Sequence, residues 1–179
     1  MTAYFIGEKR GRPNSWYIRN DYNNQAVRMA KTIWDHIVNL RYDEEMTWRE
    51  LLTKMADEAL SRGWAKEGFT EALLKREEMY ATGLHAAVDL AIPHTDAEFT
   101  AEPALITAVL GEPVAFEPMG GEGGPVAARF VFLLVLPDAD AHIDFLQALS
   151  DFIADEDLIT RFAETEDMDF LIGCLKRSD

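Results

Sequence analysis

Residues 87–96 read A-V-D-L-A-I-P-H-T-D. An apolar run stops on Pro93, and His94 follows at once. Proline fixes its own φ and pushes Ile92 towards an extended conformation. The imidazole is therefore presented by a stiff support at the carboxyl end of a strand, the edge where open α/β sheets bind ligands. A neutral imidazole held there is a competent nucleophile towards phosphorus. Arg76 interrupts the row Phe69, Ala72, Leu73, Met79, Tyr80, which is otherwise apolar at helical spacing. It either snorkels to water or is held near an anion site. His142 falls in the first turn of a helix that follows Pro137. The positive end of the helix dipole there keeps an imidazole neutral or receives an anion. Together with Thr82, these residues suit phosphoryl transfer, which rests on positioning and electrostatic stabilisation.

Other chemistries fit less well. His85, His94, Asp96 and His142 could be read as ligands of a metal-dependent hydrolase, but no two histidines have the short spacing of a metal motif. No cofactor is implied. The stretch Met119-Gly120-Gly121-Glu122-Gly123-Gly124 lacks the lysine and following helix of a phosphate-binding loop, so it reads as a connection. Arg10-Gly11-Arg12-Pro13 matches the core of a minor-groove DNA-binding motif, a short match set in an acidic chain, against which a solvated loop is the plainer reading. Cys174 sits beside Leu171 and Leu175 as a core thiol. His85 reads as a loop histidine.

The elements that must carry these side chains are legible from periodicity. Residues 1–24 read mostly as loop, with a short strand at Ala3–Ile6. Ala26, Val27, Ala30, Ile33, Trp34, Ile37 and Val38 follow a helical pattern with His36 off the stripe, although Ile37–Leu40 could peel away as a strand. Thr47 and Glu50 form a capping box, Met46 can staple onto Leu51, and the helix ends at Gly63. A second helix runs from Glu67 to Tyr80. Val88–Ile92, Leu105–Leu110 and Val114–Phe116 read as strands, with Asp89 an unexplained charge inside the first. Arg129–Leu136, RFVFLLVL, has the continuous apolar character of a strand covered on both faces. A helix follows, capped by Asp138 or Asp140, and two short helices near Asp155–Ala163 and Asp167–Leu175 close the chain. The order predicts an α/β fold, a mixed β-sheet flanked by helices.

Composition narrows the setting. The 179 residues are 48% apolar, enough for one full core. Lys and Arg total 17 against 32 Asp and Glu, a formal charge of −15. That surface repels nucleic acid and anionic membrane and suits a basic protein partner. No apolar run is long enough to span a bilayer, so direct membrane insertion is not expected. The N-terminus lacks the pattern of a signal peptide and the single cysteine excludes an intrachain disulfide, which fits the cytoplasm. The first 31 residues are net basic, which sets them apart.

Ala72–Leu84, A-L-L-K-R-E-E-M-Y-A-T-G-L, followed by Leu90–Asp96, L-A-I-P-H-T-D, resembles the phosphotransferase-system enzyme IIA domain of the fructose/mannitol type. The shared pattern is an Arg-Glu pair, a Thr-Gly a few residues on, then Ala-Ile-Pro-His. VFLLVLP, then His142-Ile143-Asp144-Phe145-Leu146 and two closing helices, extends the resemblance over roughly residues 36–176. It implies a carrier in which His94 accepts a phosphoryl group from the protein HPr and passes it to an enzyme IIB domain for sugar uptake. It also implies that Arg76 and His142 share the active site and that Thr82 and Gly83 form the phosphate-side loop. A regulatory module using the same phosphohistidine is the alternative. Leu84–Asp89 lacks the glycines of fructose-type members and, with Val114–Gly120, looks more like the galactitol-type branch, whose members often lack the second histidine. Residues 1–35 have no counterpart, leaving an N-terminal extension and a carrier domain at 36–179.

Overall fold

The computed structural model describes residues 32–138 and 143–176. The expected strand at Ala3–Ile6 and the Arg10–Pro13 motif lie outside those residues. So does most of the expected first helix; its described end is a single 3-10 turn, Ile33–Asp35, followed by strand β1, Ile37–Tyr42. The strand reading of Ile37–Leu40 therefore holds over the helical one. β1 pairs in parallel with β4 from Ile37 opposite Leu105 to Tyr42 opposite Leu110, and this pairing outweighs a weak helical stripe. His36 is buried rather than on the surface: its ring stacks on Trp64 at 4.8 Å, and Nδ1 lies 3.0 Å from the Pro103 carbonyl oxygen.

Helix α1, Trp48–Ser61, starts where its capping box requires. The Thr47 hydroxyl accepts the Glu50 N–H at 3.3 Å, and the Glu50 carboxylate accepts the Thr47 N–H at 2.8 Å. Its apolar stripe, Leu51, Leu52, Met55, Ala56 and Ala59, is completely buried. Helix α2 spans Phe69–Met79. Its buried row is Phe69, Leu73 and Glu77, whereas Met79 and Tyr80 are exposed. The inward face is thus turned relative to the row read from sequence, and the charge it buries is Glu77.

Five strands form one mixed sheet in the order β1-β4-β5-β3-β2, where β2 is Gly83–Leu84, β3 Leu90–Ala91, β4 Ala104–Phe116 and β5 Val126–Val135. The strand expected over Val88–Ile92 is shorter than its apolar run. The two strands expected at Leu105–Leu110 and Val114–Phe116 are one strand, irregular between Val109 and Val114 where Gly111 and Pro113 lie. The glycine-rich stretch lies in the connection between β4 and β5. Helices α3, Ile143–Ala154, α4, Glu156–Thr165, and α5, Met168–Leu175, complete the chain. Asp155 and Asp167 cap the last two, each accepting two backbone N–H groups.

The sheet is covered on both faces, which is why β5 reads as continuously apolar. Val131, Leu133 and Val135 pack with α1 and α2, and Phe130, Phe132 and Leu134 pack with α3, α4 and α5. Cys174 packs at the edge of the second layer. Ile33 and Trp34 pack in that layer too. Among the described residues no helix is long and apolar enough to cross a membrane.

Candidate active site

His94 follows β3 along the side of β5. The Leu134 N–H donates to the Pro93 carbonyl at 3.0 Å, and His94 pairs with Leu134 in a parallel bridge. The proline needs no partner for a missing N–H, so the strand direction carries on to the histidine without a further ladder donor. The support anticipated for His94 is therefore present, with the second strand of the sheet's core behind it.

The two ring nitrogens of His94 have different neighbours. Nδ1 lies 3.0 Å from the Ile92 carbonyl oxygen, which only accepts, so Nδ1 carries the proton. Nε2 lies 3.3 Å from a terminal nitrogen of Arg76, which only donates, so Nε2 presents its lone pair. These partners select one tautomer, with the Nε2 lone pair directed at a fixed positive charge.

Arg76 comes from the last turn of α2. Its other terminal nitrogen donates to Asp96 Oδ1 at 3.2 Å, and the guanidinium lies 5.5 Å from the Tyr80 ring centroid. Its Nε is buried and has no hydrogen-bond partner among the described residues. The sequence left two readings of this arginine open, and the structure puts it against His94. Arg76, Met79, Tyr80, Asp96 and Phe99 help line a cleft of about 700 Å³; His94 is not in its wall but touches it through Arg76.

Thr82 and Gly83 are held from behind. One Glu77 carboxylate oxygen accepts the Thr82 N–H at 2.9 Å and the other accepts the Thr82 hydroxyl at 2.8 Å. Burial pushes the Glu77 carboxyl above its ordinary range, and the two Thr82 bonds pull it partly back. The Thr82 carbonyl accepts the Ile92 N–H at 3.3 Å, so the loop is tied to the residue that orients His94. Gly83 lies where a Cβ would meet the Glu117 carbonyl oxygen at 2.6 Å, a distance no side chain tolerates.

His85 belongs to another cluster. Its Nδ1 lies 3.3 Å from Asp89 Oδ1 and its Nε2 lies 3.2 Å from the Gly124 carbonyl oxygen. The second Asp89 oxygen accepts the Ala127 N–H at 3.3 Å. This accounts for the charge at position 89: Asp89 and His85 tie the glycine-rich connection to the β2–β3 segment. Of the ligand set imagined for a metal hydrolase, His85 and His94 have separate partners. Among the described residues no group of three or more His, Cys, Asp or Glu is placed to hold a metal ion, and a guanidinium cation faces His94 Nε2. His142 lies outside the described residues.

Two residues of the site escaped the sequence reading in these roles. Glu77 carried a signal, since it continues the spacing of Phe69 and Leu73. Asp96 carried only its closeness to His94 in the chain, because its partner Arg76 is distant in sequence.

Residues 36–178 match the family model described as phosphoenolpyruvate-dependent sugar phosphotransferase system, EIIA 2. The chain belongs to that family. As an EIIA-family chain it is 32% identical over 165 residues to the 2-O-alpha-mannosyl-D-glycerate-specific EIIABC component of Escherichia coli (strain K12). The match covers 87% of this chain and 24% of that protein, so the chain spans about a quarter of its relative's length. Its fold is that of the mannitol IIA domain of Escherichia coli. The IIA structure matches with a TM-score of 0.60 at 23% identity, covering 81% of this chain and 99% of that one. The complex of the mannitol enzyme IIA with phosphorylated enzyme IIB from the same organism matches with a TM-score of 0.62 at 22% identity, covering 83% and 99%.

Proposed function

We propose that this EIIA-family chain is a phosphohistidine carrier of a sugar phosphotransferase system. His94 Nε2 accepts a phosphoryl group from HPr, and an enzyme IIB partner receives it for carbohydrate uptake. The observation that carries the reading is the pairing of His94 Nε2 with Arg76 while Nδ1 is held by the Ile92 carbonyl. The lone pair of Nε2 attacks the phosphorus of phospho-HPr; a nitrogen–phosphorus bond forms on His94 as the one on HPr breaks. No proton has to leave the attacking nitrogen, because the ring proton is already on Nδ1. Arg76 then meets the incoming negative charge, with the Thr82-Gly83 loop alongside. Nothing in this exchange requires a cofactor or metal.

Family membership supports further features of the same proposal. Residues 36–179 form the carrier domain, residues 1–35 are an N-terminal extension, and His142 is the second active-site histidine. The IIB partner is supported by the related complex of the mannitol enzyme IIA with phosphorylated enzyme IIB. The reaction needs a cytoplasmic phosphoryl donor, so the protein works in that compartment.

The test is incubation with phosphoenolpyruvate, enzyme I and HPr. The wild type takes up one acid-labile phosphoryl group, and His94→Gln takes up none. Equal labelling of His94→Gln would falsify the assignment. His142→Ala is expected to accept label in part and to pass it on slowly; unchanged onward transfer removes His142 from the mechanism.

A further inference from the structure

Arg76 is shared between two groups in the same site. One terminal nitrogen faces His94 Nε2 at 3.3 Å and the other faces Asp96 Oδ1 at 3.2 Å. Its Nε is buried without a partner among the described residues. The Asp96 side chain is 67% exposed, and among the described residues Arg76 is its side-chain hydrogen-bond partner. A carboxylate so placed is not needed to bury Arg76, and an exposed pair of this kind adds little to stability. Its effect falls on what Arg76 can do next.

Transfer to Nε2 changes the demand on Arg76. The lone pair it faced is consumed by the new nitrogen–phosphorus bond, and a group with charge of about −1.5 to −2 takes its place. A guanidinium free to turn would clamp that group with two parallel hydrogen bonds, the strongest arrangement it can make. A clamp of that strength would turn a carrier into a sink, because onward transfer would have to break it. Here Asp96 holds one arm of the fork, and its own negative charge opposes the phosphoryl charge.

We propose that Asp96 is a positioning residue that competes with the phosphoryl group for Arg76 and so keeps phospho-His94 high in transfer potential. This rests on the reading of His94 as the phosphoryl acceptor. Before transfer the carboxylate orients Arg76 towards Nε2. After transfer it limits how much of the guanidinium the phosphoryl group can capture. The two effects have opposite signs on the reaction: Asp96 speeds acceptance and weakens retention.

The experiment measures the equilibrium partition of radiolabelled phosphoryl between HPr and the full chain, with the acceptance rate followed in parallel. Asp96→Asn is expected to shift the partition towards the phosphorylated chain by about three- to tenfold, the range that one nearby charge supports at a half-exposed site. It is expected to slow acceptance at the same time. Asp96→Ser removes the charge in a different shape and gives the same shift, whereas Asp96→Glu partitions like the wild type. A loss of fold or a general structural defect lowers acceptance without raising equilibrium occupancy. A partition unchanged or moved towards HPr in both neutral variants overturns the proposal. The reading of His94 fails separately, if His94→Gln still takes up label.

Discussion

His85 and His94 are close in the chain and belong to opposite kinds of site. His85 stands between two acceptors, the Asp89 carboxylate and the Gly124 carbonyl. His94 stands between one acceptor, the Ile92 carbonyl, and one donor, the Arg76 guanidinium. The first arrangement uses the ring as a brace between two chain segments and leaves no lone pair directed at an incoming group. The second fixes a proton on one nitrogen and aims the lone pair of the other at positive charge. The difference is not in the residue type or in local sequence. It lies in whether the group facing the second nitrogen accepts or donates.

Exchanging the two roles is the largest test of that contrast. His94→Gln is expected to abolish phosphoryl uptake, and His85→Gln to leave it at the wild-type level; uptake lost in both variants would break the distinction. Next in size is the donor itself. Arg76→Ala is expected to slow acceptance by about 100- to 1,000-fold, the effect of removing one preorganised charge-stabilising donor. Arg76→Lys restores the charge but not the fork, so it falls between. Rapid-quench measurement of label uptake orders the three; an Arg76→Ala rate near the wild-type value removes the arginine from the site.

Glu77 supplies the third test, because it supports the loop that supports His94. Glu77→Ala leaves the Thr82 N–H and hydroxyl without their acceptor in a buried place and is expected to lower stability by about 1–3 kcal/mol in chemical denaturation. Glu77→Gln preserves the shape and can still bond Thr82, which gives the pH dependence its sign. The folded-state carboxyl is raised above its ordinary value, so its contribution is fully present below the unfolded value and is lost as pH rises through the folded one. Melting curves of Glu77→Gln should therefore gain on the wild type as pH rises from the ordinary carboxyl range to neutrality. A difference constant over that window would mean Glu77 does not titrate there. The smallest effect belongs to the brace. His85→Gln is expected to cost about 1 kcal/mol, the value of a partly exposed hydrogen-bonded link, read as a small fall in the unfolding midpoint.

Much of the fold was legible because its signals are local. The Thr47-Glu50 box starts α1 where it was expected, and RFVFLLVL is a strand buried on both faces. The errors came where a distant partner decided. Ile33–Val38 has a helical stripe, yet pairing with β4 makes a strand of its second half and buries His36 against Trp64. Gly111 and Pro113 look like a break between two strands, but pairing with β5 resumes beyond them at Val114. In α2 the apolar row pointed to Met79 and Tyr80; the packing chose Glu77 instead, because Thr82 folds back to satisfy its carboxylate.

By itself the sequence determined the pedestal. Ile92, Pro93 and His94 follow one another, and proline's fixed φ acts on its immediate neighbours, so the imidazole presented at a strand end needed no tertiary knowledge. The spacing of the Arg-Glu pair, the Thr-Gly and the Ile-Pro-His was likewise enough to suggest the family. What only the tertiary structure decided is the identity of the neighbours across space: Arg76 rather than a ligand set on Nε2, Asp96 on the other arm of that arginine, and Asp89 clasped to His85 instead of standing unexplained in a strand. Periodicity reports which face a residue occupies. Whether a nitrogen meets a donor or an acceptor depends on a contact a few ångströms wide between segments far apart in the chain, and that contact exists only after the sheet has closed.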